Sequence, residues 1–67
     1  MTNVELLKKA IKESGLRRHF IANRMGMSYD RFYKASTGKV EFKASEIKAL
    51  SDILDLSLED MKEIFLS

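Results

Sequence analysis

The chain has 67 residues, no cysteine, one histidine and a net charge of +2. At this length folding buries only about 60% of the surface an unfolded chain exposes, so the core is thin. The missing cysteines exclude disulfides, thiol chemistry and cysteine-based zinc sites. With 45% hydrophobic and 33% charged residues, the composition is that of a folded domain and too apolar for disorder. No apolar run approaches the roughly 18–20 residues of a membrane span, and the charged, amphipathic N-terminus lacks the continuous apolar core of a signal peptide. A cytoplasmic location is the expectation.

Five segments show helical periodicity, and none alternates with period two long enough to compete. The first, about 3–14, aligns Val4, Leu7, Ile11 and Ser14 on one stripe, with Thr2 and Glu5 spaced as a capping box. The second, 17–25, sets Ile21 and Met25 one turn apart. The third runs from Ser28, a good N-cap residue, to about Ser36, with Phe32 and Ala35 facing inward. The fourth, 44–54, spaces Ala44, Ile47, Leu50, Ser51 and Leu54 by threes and fours. The fifth, 58–66, starts at a Ser57–Asp60 capping box and turns Leu58, Met61, Ile64 and Phe65 inward. Gly15, Gly26 and Gly38 punctuate the first three segments. The expected architecture is all-α, a single domain over 1–67.

The break at Gly26-Met27-Ser28 has a physical reading. Two helices joined by a short glycine-containing turn form a helix-turn-helix over about 17–36. The small Ala22 lets them approach, and Ile21, Met25, Met27, Phe32 and Ala35 clamp them from beneath. The outer face of the third segment then carries Ser28, Tyr29, Asp30, Tyr33 and Lys34. These are hydrogen-bonding groups suited to the base edges of a DNA major groove.

Charge supports a polyanion partner. Residues 1–40 hold nine basic against three acidic side chains, a balance of +6, while residues 41–67 hold three against seven, a balance of −4. Arg17, Arg18, Arg31, Thr37 and Lys39 are placed to meet phosphates; Lys8, Lys9 and Lys12 read as an exposed helix face. His19 reads as a surface residue, and with no second histidine no metal or cofactor is expected. No nucleophile–base pair is visible, which argues against an enzyme.

The order GLxxxFIAxxMGMSxxxFYxxxxG, followed by ASEIKALSDILDLSLEDM, resembles the lambda-repressor-like helix-turn-helix family of phage and bacterial regulators, the Cro and phage-repressor type. The resemblance spans about residues 4–65 and is nearest to small Cro-like regulators from phages and prophages of Gram-positive bacteria. It implies a five-helix DNA-binding domain acting as a homodimer on a palindromic operator. It also implies base reading by Ser28, Tyr29, Asp30 and Lys34, with Tyr33 as an extra contact. Arg18 stands where the family commonly has glutamine, Thr37-Gly38 where it has Asn-Gly, and Phe42-Lys43 where it has Pro-Ser. By that comparison the fourth helix lacks its normal cap. The alternative function is a protein-interaction module, antitoxin-like, whose acidic second half binds a basic protein. The apolar Ile64-Phe65-Leu66 either closes the core or forms a dimer patch.

Overall fold

The computed structural model describes residues 1–66; Ser67, the last residue of the domain expected over 1–67, lies outside them. Five helices follow in chain order: α1 (Val4–Ser14), α2 (Arg18–Met25), α3 (Tyr29–Ser36), α4 (Ala44–Ile53) and α5 (Leu58–Phe65). No strand occurs among the described residues. Each boundary falls within one residue of its expected position.

Local chemistry explains most of the ends. Ser28 Oγ accepts the Arg31 N–H at 3.2 Å and caps α3. Ser57 Oγ accepts the Asp60 N–H at 3.0 Å, and Asp60 Oδ2 accepts the Ser57 N–H at 3.4 Å. Two caps differ from expectation. At α1 the cap is not Thr2 with Glu5 but Asn3, whose Oδ1 accepts the Leu6 N–H at 3.1 Å. The Asn3 N–H is already committed to the Ile64 carbonyl at 2.6 Å, which ties the start of α1 to α5 and sets the helix one residue later. At α4 a capping interaction does exist: Glu46 Oε1 accepts the Lys43 N–H at 2.7 Å. A glutamate at the third helical position thus does part of what a Pro-Ser start would have done.

The reversal between α2 and α3 is a six-to-one closure. The Met27 N–H donates to the Ala22 carbonyl at 3.1 Å across Gly26, whose φ of 72° is left-handed. The end of α4 uses the same closure, with the Leu56 N–H donating to the Ser51 carbonyl at 2.9 Å. There the left-handed residue is Asp55, at φ 54°, not a glycine.

The core takes side chains from every helix: Leu7 and Ile11, Ile21 and Ala22, Phe32 and Ala35, Leu50, and Ile64 and Phe65. Phe42, in the α3–α4 connection, joins them. Its ring meets the edge of Phe32 at a centroid distance of 6.3 Å and of Phe65 at 5.9 Å, with interplanar angles of 62° and 87°. Such T-shaped pairs each contribute about 0.5–1.5 kcal/mol beyond area burial. This aromatic row pins the long connection onto the helices it joins. Helix α2 packs against α3 and α4, and α1 against α3 and α5.

One inward assignment is corrected. Leu58 is 76% exposed, because as the first residue of α5 it precedes the turn on which Ile64 and Phe65 close the core. Of the C-terminal trio, Ile64 and Phe65 are buried and Leu66 is exposed. Among the described residues no helix is long and apolar enough to cross a membrane.

Candidate nucleic-acid interface

Burial of Phe32 and Ala35 fixes the rotation of α3 and turns its other residues outward. Tyr29, Asp30, Tyr33 and Lys34 are all exposed there, with Ser28 just before them. They are brought together on one surface, but not as independent side chains. Lys34 Nζ lies 3.0 Å from Asp30 Oδ2, one helical turn away. That pair partly neutralises the carboxylate and holds the ammonium along the helix. Ser28 Oγ is engaged as the α3 cap.

Tyr29 is more constrained still. Its ring lies on that of His19, with centroids 3.8 Å apart and planes within 8° of parallel. Tyr33 follows at 6.3 Å from Tyr29 with its ring tilted by 32°. A row of His19, Tyr29 and Tyr33 therefore runs from the first turn of α2 across the start of α3. The stack was not foreseen. His19 and Tyr29 are ten positions apart in sequence, and only the short turn between the helices brings their rings together.

Beside this row opens a groove of about 540 Å³, floored by Ile11 and Leu16 and lined by Lys8, Lys12, Arg17, Arg18, His19 and Tyr29. Among the described residues no acidic side chain lines it. Lys8 and Lys12, read from sequence as a solvated helix face, stand on its α1 wall. Their spacing of four residues, one turn of a helix, was the available signal. Arg17 and Arg18 stand at the start of α2, whose first turn contains no acid and whose Arg17 makes no side-chain cap. The unpartnered N–H groups of that turn favour an anion.

The remaining residues expected to meet phosphate divide. Lys39 is exposed beyond α3. The Thr37 hydroxyl donates to the Tyr33 carbonyl at 2.8 Å, so its proton is spent within the helix end. Arg31 is the clear correction. Its Nη2 donates to Glu46 Oε1 at 2.8 Å and to the Glu41 carbonyl at 3.3 Å, while Nε donates to Glu46 Oε2 at 3.2 Å. This two-point guanidinium–carboxylate pairing joins α3 to α4 and leaves Arg31 committed within the fold. The Arg31 hydrogen bonds, helped by the Lys43 N–H, hold the Glu46 carboxyl below the usual glutamate range despite its partial burial. The same pairing raises the Arg31 guanidinium above its ordinary value.

Among the described residues no three His, Cys, Asp or Glu side chains converge to hold a metal ion. Compared with known proteins, the chain matches no family model, no curated protein and no solved structure.

Proposed function

We propose that this protein is a sequence-specific double-stranded DNA-binding transcriptional regulator, a Cro-like repressor that acts by occupancy and not by catalysis. In this reading α2 and α3 form a helix-turn-helix of the lambda-repressor-like type. The N-terminal part of α3 enters the major groove, and Tyr29, Tyr33 and Lys34 reach base edges. Arg17, Arg18, Lys8 and Lys12 take the flanking phosphates, with Lys39 at the far end of α3. The observation that supports the reading most is the juxtaposition of that exposed polar and aromatic face with an acid-free basic groove. One domain of this size covers a half-site only, so a homodimer on a palindromic operator completes the proposal.

Selection from randomised duplexes near physiological salt tests it. The expected result is a two-part palindrome with half-sites about one helical turn apart. Uniform, salt-sensitive binding to every duplex, with nothing enriched, would overturn the claim of sequence specificity. No binding to any duplex would overturn the DNA reading itself.

A further inference from the structure

Helix α1 separates two grooves of opposite charge. Lys8, Ile11 and Lys12 open on the basic groove already described. Leu6, Lys9, Ala10 and Glu13 open on a second groove, of about 370 Å³, closed on its far side by the α4–α5 connection and by α5. Its floor is apolar, formed by Leu6, Ala10, Leu54, Leu56 and Ile64. Its rim carries Glu13, Asp55, Asp60 and Glu63, opposed by Lys9 alone. Among the described residues none of these four carboxylates has a cationic side chain within ion-pair distance. Asp30, Glu46 and Asp52, outside the groove, each have a lysine or arginine partner. Neighbouring like charges around a cleft repel one another, and a cationic occupant relieves that repulsion.

We propose that the acidic groove docks a cationic amphipathic segment of a second protein. An apolar side chain of the partner sits on the floor between α1 and α5, and flanking Lys or Arg residues meet the rim. A volume near 370 Å³ suits such an anchor and not a whole domain. The sign of the rim excludes nucleic acid here. The basic groove of a second copy is itself concave and offers nothing to insert, which favours a segment of another protein. The inference concerns a different face from the DNA reading and does not depend on it.

The test is an amide-resolved NMR titration of the full chain with three synthetic probes: an amphipathic lysine–leucine peptide, its glutamate–leucine counterpart, and oligolysine. The lysine–leucine peptide is expected to shift Leu6, Ala10, Glu13, Leu56 and Glu63, and to bind more tightly than oligolysine. The double variant E13Q/E63Q is expected to weaken it by about two- to thirtyfold through the loss of two rim pairs. Both residues are exposed and outside any ion pair among the described residues, and a thermal melt checks that the variant remains folded. Shifts spread equally over Glu5, Glu41, Asp52 and Glu59, or equal binding of the acidic peptide, would overturn the proposal. So would a low-salt self-association in sedimentation that E13Q/E63Q abolishes, which would assign the groove to a second copy.

Discussion

The division between Arg17 with Arg18 and Arg31 is open to a direct measurement. On duplex DNA, each phosphate contact contributes about 0.9 to the slope of log affinity against log salt. Arg17 and Arg18 line the acid-free groove, and neither takes part in an ion pair among the described residues. If each meets one phosphate, R17Q/R18Q lowers the slope by about 1.8 per protomer. Between 50 and 200 mM salt that removes about a twelvefold change in affinity per protomer. R31Q is expected to behave otherwise. Its guanidinium is held at 2.8 Å and 3.2 Å by both oxygens of Glu46, so its removal breaks the α3–α4 tie and subtracts nothing from the phosphate count. R31Q should therefore melt at a lower temperature and keep the wild-type slope, while R17Q/R18Q keeps the melting temperature and loses slope. Fluorescence anisotropy on a selected duplex at four or more salt concentrations reads the slopes, and circular dichroism reads the melts. A folded R31Q whose slope falls by about 0.9 per protomer would show Arg31 leaving Glu46 for a phosphate. The assignment of that residue to the fold would then be wrong.

Other expectations follow from the same contacts. Because the Arg31 and Lys43 donors depress the Glu46 carboxyl, the stability it adds is complete above the unfolded glutamate range and is lost as pH falls through the lower folded value. E46Q should flatten that acid limb in urea titrations across pH, and an unchanged limb would assign it to other carboxylates. F42L keeps most of the buried volume but loses two aromatic edges, so a loss of about 1–3 kcal/mol is expected in urea unfolding, with strong coupling to F65L in a double-mutant cycle. Two left-handed positions should respond with opposite signs. D55G raises stability by about 1 kcal/mol by removing the Cβ penalty, whereas G38A lowers it by at least as much. At Gly38, φ is 87° and an added Cβ would lie 3.1 Å from Val4 Cγ2. H19A should weaken DNA binding about two- to tenfold without changing the salt slope, since it frees the Tyr29 ring and removes no phosphate contact. A change in slope would instead make His19 a phosphate ligand.

The fold was legible because its signals are local. Apolar spacing placed all five helices, and serines at 28 and 57 placed two starts, since a hydroxyl three residues before an N–H closes the same ring in any surroundings. The misplaced details depended on distant partners. Thr2 and Glu5 have the right spacing for a capping box, but the bond from the Asn3 N–H to the Ile64 carbonyl decides the first cap, and that carbonyl is in α5. Leu58 continues the apolar stripe of its helix, yet a stripe gives direction and not depth. At the first position of α5 no neighbouring element covers it.

The candidate site was legible to the same degree and failed for the same reason. Sequence spacing put Tyr29, Asp30, Tyr33 and Lys34 on the outer face of α3, and they are exposed there. Charge alone offers Arg17, Arg18 and Arg31 to phosphate, although availability depends on what else each can reach. Arg31 lies fifteen residues from Glu46, and the packing of α4 on α2 together with the aromatic row through Phe42 brings that carboxylate within reach. The same folding step has a second consequence for the site. It removes one cation from the α3 side, where Lys39 remains, and leaves most of the uncommitted positive charge on the α1–α2 side, beside the His19–Tyr29 stack. Electrostatic steering of a polyanion would therefore be set mainly by α1 and α2. Helix α3 would add the shorter-range discrimination of its tyrosines and of a Lys34 already paired with Asp30. Releasing that lysine by D30N should strengthen binding to all duplexes while narrowing the preference between them. Equal gains for selected and unselected duplexes, with the preference unchanged, would mean that the Asp30–Lys34 pair has no part in reading sequence.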